Sequence, residues 1–307
     1  MSEPTLQAIG VSKWFGDVVA LTNVSLRVAP GVTGLLGPNG AGKSTLFKCL
    51  TGISAPSSGS VTLLGRDPRA DSSIFRDVGL CPDVDKFFEE MSGLDFVAAL
   101  ARLHGMPRDE ARRAAERALD RVGLADVMRK RVAAMSKGMR QRVKFAQAIV
   151  HDPHVVLLDE PLNGMDPLAR HATVELIGRL GAEGRTVVVS SHILHEVDAM
   201  SQQVVLLVQG RVLAEGSVRE IRDAIRTKPH RVAVGTPDAR RLAREMLAID
   251  GVRGVIVEAA DRVLVDTTRP ADLLTWITGG AADGRVRVDE LGIVDESLEA
   301  VFEMLVG

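Results

Sequence analysis

Nine residues constrain this chain more than any other stretch: Gly37-Pro38-Asn39-Gly40-Ala41-Gly42-Lys43-Ser44-Thr45. They satisfy G-x-x-x-x-G-K-[ST]. They follow the short apolar run Val32–Leu36 and open a helically spaced segment, Ser44–Leu50. A strand, a glycine-rich turn and a helix in that order make a cradle for phosphate. The glycines let the loop aim its N–H groups inward, and the helix start adds the positive end of its dipole. Lys43 brings a point charge to the β and γ phosphates of a nucleotide. The Ser44 hydroxyl is a ligand for Mg²⁺.

Three more apolar runs, Val155–Leu158, Thr186–Ser190 and Val204–Val208, lack alternation, as expected of strands buried on both faces of a parallel sheet. Helical patterns over Asp109–Val122, Gln141–Val150 and Leu168–Leu180 separate them. In the first, Ala111, Ala114, Ala115, Ala118, Leu119 and Val122 share one face. The reading is a doubly wound α/β core with a helical insertion at about 84–150. Gly59–Gly65 reads as an added edge strand. Val155–Leu158 ends in Asp159-Glu160, and carboxylates at that end of a parallel strand face the ligand crevice. Asp159 is expected to hold Mg²⁺ through water, and Glu160 to polarise the attacking water as a general base.

With these motifs in this order, residues 5 to about 225 resemble the nucleotide-binding subunit of an ATP-binding-cassette (ABC) transporter. Ala134-Met135-Ser136-Lys137-Gly138-Met139-Arg140-Gln141-Arg142-Val143 resembles the family signature L-S-G-G-Q, with Lys137 where glycine is usual and Met139 where glutamine is usual. The S-K-G-M form resembles that of drug- and lipid-exporter subunits. Asn163-Gly164-Met165-Asp166 resembles the D-loop, and Ser191-His192 the switch histidine. The resemblance implies a P-loop NTPase core with an antiparallel β subdomain and a helical insertion. It implies that Ser136 and Gly138 bind the nucleotide held by a second subunit, that Asp166 lies across that interface, and that His192 contacts the γ-phosphate. In Lys13-Trp14-Phe15-Gly16, Phe15 takes the place of the aromatic that stacks on adenine, with Trp14 as the fallback. The family's Mg²⁺-ligating Q-loop glutamine falls at Asp83, and the expectation is that Asp83 keeps the metal role. Without N-K-x-D, the guanine-reading motif, ATP is the expected nucleotide.

The chain has 307 residues, a length for about two domains. Residues 229–307 carry 9 Arg and Lys against 14 Asp and Glu, while residues 102–144 hold 13 basic and 5 acidic groups. The change of sign near Lys228-Pro229 suggests an ABC ATPase domain over 1–228 and a small α+β domain over 229–307. The tail predicts strands Arg231–Val234, Val255–Glu258, Val263–Asp266 and Arg285–Val288, with helices Ala239–Leu247 and Ala271–Ile277. That order, βαββαβ, is a split βαβ, followed by a helix over Asp295–Leu305. Two cysteines, Cys49 and Cys81, exclude a disulfide scaffold. A formal charge of −2 excludes a chain-wide nucleic-acid clamp, so no nucleic-acid partner is expected.

No apolar run reaches the roughly 20 residues of a membrane span, and Met1-Ser2-Glu3-Pro4 has no leader pattern. The expectation is a cytoplasmic chain, peripheral on the membrane through a separate permease seated near Phe87–Leu103. A single phosphate loop implies a nucleotide-sandwich dimer, expected to pair identical chains. The competing readings are a soluble mechanical ATPase acting on ribosomes or DNA, and a regulatory nucleotide binder that has lost hydrolysis.

Overall fold

The structure, a computed structural model, describes residues 5–201, 203–217 and 230–293. Its contacts divide the chain into two compact units, Met1–Val218 and Arg219–Gly307. The Lys228-Pro229 junction and the helix expected over Asp295–Leu305 lie outside the described residues.

The first unit holds two sheets. Strands β1 (Leu6–Phe15), β2 (Val18–Val28) and β4 (Ser58–Leu63) form an antiparallel sheet in the order β2-β1-β4. Its edge strand β4 is the one expected at Gly59–Gly65. The second sheet runs β5-β6-β7-β3-β8-β9, built from β3 (Gly31–Leu36), β5 (Val78–Cys81), β6 (Val155–Leu158), β7 (Thr186–Ser191), β8 (Gln203–Val208) and β9 (Arg211–Ser217). All neighbours are parallel except β9, which returns from β8 through the left-handed pair Gln209-Gly210.

Each central strand is buried on both faces, and period-two alternation sorts its residues between two cores. Val155, Leu157 and Val188 face the antiparallel sheet and α1 (Lys43–Leu50). Val156, Leu158, Val187 and Val189 face the helical side. That side carries α2 (Gly93–Leu103), α3 (Arg108–Arg121), α4 (Lys137–Ile149) and α5 (Pro167–Ala182), and α6 (Leu194–Met200) follows β7. Helix α3 buries Ala111, Ala114, Ala115, Ala118 and Leu119, the stripe its spacing predicts. No helix of the described residues is long and apolar enough to cross a membrane.

Register places the site. Leu36 pairs with Ser191, and Leu158 with Val189. The glycine-rich loop, Asp159-Glu160 and Ser191-His192 therefore leave the sheet at the same carboxyl edge, where open α/β sheets bind ligands.

The second unit is an antiparallel sheet in the order β11-β12-β10-β13. Its elements are β10 (His230–Gly235), α7 (Ala239–Met246), β11 (Val252–Ala259), β12 (Arg262–Thr267), α8 (Pro270–Ala282) and β13 (Glu290–Ile293). This is the split βαβ order, closed over Val232, Val234, Leu242, Met246, Val263, Val265, Leu273 and Ile277. One expected strand is corrected. Arg285–Val288 is not a strand, and the last strand forms at Glu290–Ile293. The N–H groups of Arg285 and Val286 both donate to the Gly280 carbonyl at the end of α8, so they are not free to join a ladder, while Val286 drops into the core.

Candidate functional site

The loop between β3 and α1 is built to leave donors free. Gly42 caps α1 at φ 104°, a backbone that side chains rarely adopt, and no side chain caps the helix. A Cβ there would sit 2.7 Å from the Ala20 carbonyl oxygen, so the β1–β2 hairpin lies close beside the loop. The N–H groups of Gly40, Gly42, Lys43, Ser44 and Thr45 donate to no described residue. Unpaired amides at a helix start, converging with its dipole, form an anion site.

Lys43 is 6% exposed. Its Nζ donates to the Gly37 carbonyl at 2.6 Å and to Pro38 at 3.2 Å, and lies 3.1 Å from Glu160 Oε1. Next to it in sequence, the Ser44 hydroxyl lies close enough to the Asp159 carboxylate to favour its charged form. Ser190 Oγ donates to Asp159 Oδ1 at 2.7 Å and accepts from the Glu160 N–H at 2.8 Å. Burial pushes the Asp159 carboxyl above its usual range; the hydroxyls of Ser44 and Ser190 oppose the rise, and the nearby negative charges of Asp83 and Glu160 add to it.

Glu160 sits between Lys43 and His192. Oε1 faces Lys43, and Oε2 meets His192 Nδ1 at 3.0 Å. Oε1 is buried yet accepts no aligned hydrogen bond, so it has capacity for a water or phosphate-side group. The Glu160 carbonyl accepts from Gln141 Nε2 at 3.1 Å.

Thus Lys43, Ser44, Asp159, Glu160 and His192 form one constellation. Asp83 lies within electrostatic reach of it, on the loop after β5. That loop is fixed to α4: Lys144 Nζ donates to the Asp83 carbonyl at 2.7 Å and pairs with Asp85 at 2.8 Å, while Arg140 pairs with Glu89 at 2.6 Å. A second group forms apart. Ser136 caps α4 by accepting from the Met139 N–H at 3.3 Å, and Asp166 caps α5 by accepting from Ala169 at 2.9 Å. That Ala169 N–H holds the exposed Asp166 carboxyl below its usual range. Gly138 joins the two turns, because a Cβ there would stand 3.0 Å from the Gly164 carbonyl oxygen. No hydrogen bond or ion pair among the described residues ties Ser136 or Asp166 to Lys43 or Ser44. Phe15, at the end of β1, is 52% exposed under the Lys13 ammonium, 4.8 Å away.

The donor set fits a nucleotide with its divalent cation. Unpaired amides and a buried lysine suit phosphate, and Ser44 and Asp159 suit Mg²⁺. No cluster of three or more His, Cys, Asp or Glu among the described residues forms a cage of its own, so phosphate oxygens would complete the coordination. Sequence reasoning missed Ser190, Gln141, Arg140 and Lys144. The first was signalled by a polar residue ending the all-valine run Val187–Val189. The other three carried no spacing signal.

The comparisons bear on this geometry. The family profile described as "ABC transporter" matches residues 21–163. An uncharacterised ABC transporter ATP-binding protein of Nostoc sp. is 43% identical over 66% of this chain, and the match spans 62% of that protein. The daunorubicin resistance ATP-binding protein DrrA3 of Streptomyces coeruleorubidus is 31% identical over 100% of this chain and 97% of its own length. The Nod factor export ATP-binding protein I of Rhizobium sp. is 35% identical over 71% of this chain and 72% of its own. Among solved structures, the dimeric bacterial ABC transporter cassette MJ0796 aligns at a TM-score of 0.64 with 25% identity, over 70% of this chain and 99% of that one.

Proposed function

This chain belongs to the family of ABC transporter ATP-binding proteins, and on that premise we propose that it is an ATPase subunit that pairs around two ATP and drives a separate membrane permease as an exporter. The observation that carries the reading is the single constellation of Lys43, Ser44, Asp159, Glu160 and His192 at one sheet edge. The free amides of the loop and Lys43 Nζ hold the β and γ phosphates. Ser44 and Asp159 hold Mg²⁺, with Asp83 contributing negative charge beside it. Bound there, the cation neutralises charge on the phosphate oxygens. Glu160 accepts a proton from water at its Oε1 side, and His192, bonded to Oε2, fixes the carboxylate's direction. Phe15 offers a half-exposed ring for the adenine.

Ser136, Gly138 and Asp166 serve the site of the second subunit. Their turns lie together, and none bonds to this chain's own phosphate loop. The dimeric state of MJ0796 supports that arrangement. The likeness to a daunorubicin resistance protein and to a Nod factor export protein supports export, with the permease placing the subunit on the cytoplasmic face of the membrane.

Glu160→Gln tests the reading. It is expected to bind ATP with Mg²⁺, release phosphate very slowly and run as a dimer on gel filtration only when ATP is present. A monomer under all conditions refutes the paired site, and wild-type turnover refutes the role of Glu160. Co-purification of a polytopic membrane protein tests the permease. Salt-sensitive retention on ribosomes or DNA would point to the mechanical reading instead.

A further inference from the structure

We infer that Gln141 is a positioning residue for Glu160: its side-chain amide holds the peptide carbonyl of Glu160 and so aims the carboxylate between Lys43 and His192. The inference rests on the reading of Glu160 as the group that polarises water.

The backbone at Glu160 needs an external hold. Its φ is 48°, the left-handed region, which a side-chain-bearing residue enters at a cost. Pro161 follows, and a residue before proline is steered toward extended backbone. Strain of this kind persists only where surrounding groups over-determine the conformation. Two such groups are present, one on each side of the residue. Ser190 Oγ accepts from the Glu160 N–H at 2.8 Å, and Gln141 Nε2 donates to its carbonyl at 3.1 Å. The peptide linking Glu160 to Pro161 has no N–H, so its carbonyl is the only polar group of that unit; it accepts from Gln141 Nε2 at 3.1 Å and, within its own turn, from the Asn163 N–H at 3.3 Å, so Gln141 is the side chain that ties it to α4.

Gln141 is in turn well anchored. It is 4% exposed and lies on α4, on the face shared by Lys137, Arg140 and Lys144 at helical spacing. The Lys137 stem lies over Gly164, while Arg140 and Lys144 bind Glu89 and Asp85. Residues that bond to the turn after β6 and to the loop after β5 thus share a helix with the one that fixes Glu160.

The test uses steady-state hydrolysis by the full chain. Gln141→Leu keeps the volume and removes the donor. Its kcat is expected to fall about tenfold, because the Glu160 carbonyl then keeps only the longer bond from the Asn163 N–H, with KM for ATP within about twofold of wild type. In a Glu160→Gln background the same change should add little, because the two residues act as one unit. Gln141→Glu supplies a second readout if the leucine variant folds poorly. An ionised carboxylate cannot donate, and a protonated one can. Its kcat relative to wild type, measured side by side at each pH, should therefore rise as pH is lowered. Full turnover in Gln141→Leu, additive losses in the double variant or a flat pH ratio overturns the inference. Wild-type turnover in Glu160→Gln overturns the reading beneath it as well.

Discussion

Replacing Ser190 by alanine removes one oxygen atom and two hydrogen bonds. Ser190 is 0% exposed, so no water takes the place of the lost hydroxyl without a rearrangement of the strand ends. The Glu160 N–H, now buried with no acceptor, costs about 1–3 kcal/mol. The bond to the Asp159 carboxylate is charge-assisted and contributes about 1.5–3 kcal/mol, but the Ser44 hydroxyl remains beside Asp159, which takes that loss toward the lower end. Because both bonds share one atom, the two losses do not simply add, and a total of about 2–4 kcal/mol is expected. For a unit of this length each kcal/mol moves the midpoint by about 2–4 °C, so Ser190→Ala should lower the unfolding transition of the first unit by about 5–15 °C. Calorimetry on the whole chain reads this directly, since the second unit provides an internal reference. The same variant should also lose turnover, because the Glu160 backbone is released on its N–H side. A midpoint within about 2 °C of wild type, with turnover intact, would show that Ser190 does not hold the two acids and would refute the reasoning.

Lys43→Ala should weaken ATP binding about 10- to 100-fold, the loss of one charge-assisted contact, by calorimetric titration; wild-type affinity would remove the phosphate-cradle assignment. Asp159→Asn keeps an acceptor for Ser190 and Ser44 but no charge. Burial raises the folded-state pKa of Asp159, so the stability this group contributes is complete below the unfolded carboxylate value, about 3.9, and is lost as pH rises through the raised folded one. Without nucleotide, Asp159→Asn should therefore melt above wild type at neutral pH, the difference closing on acidification, and a difference that widens instead would contradict the sign. Asp83→Ala should raise the Mg²⁺ concentration needed for nucleotide binding, and an unchanged requirement rules out its metal role.

What could be read from the residues depended on how each element satisfies its neighbours. The parallel strands are legible because both faces are buried, so Val155–Leu158 and Val204–Val208 show as unbroken apolar runs. β1 is not, because its register with β2 shifts between Ala8 and Val11, around the left-handed Gly10, and the alternation is lost there. Arg285–Val288 errs the other way: its alternation is genuine, but a helix end consumes its N–H groups. Within the site, Lys43, Ser44, Asp159, Glu160 and His192 stand out because their motifs sit at strand ends, and strand ends meet at one edge. Gln141 acts on a backbone carbonyl nineteen positions away, a relation no local spacing encodes. Ser136 and Asp166 are legible as helix caps from local sequence alone. The proposal that they serve a second subunit rests on the family resemblance and not on any local rule.

Charge balance explains why the cation and the nucleotide belong together here. Lys43 is the cation that faces the site, and Glu160 and two carbonyls already engage it. Among the described residues Asp159 has no ion-pair partner; the Ser190 hydroxyl donates to it and the Ser44 hydroxyl lies nearby. The α1 terminus contributes roughly half an elementary charge. A polyphosphate approaching this edge therefore meets the acids at 83, 159 and 160 with little positive charge to spare, in surroundings where the effective dielectric is well below that of water. A divalent cation held by Ser44 and Asp159, as proposed, would reverse the sign of that balance. By linkage, each then strengthens the binding of the other by the same factor. On the proposed reading, an acid at position 83 would enlarge both sides of this coupling, repelling the bare nucleotide and attracting the cation that admits it.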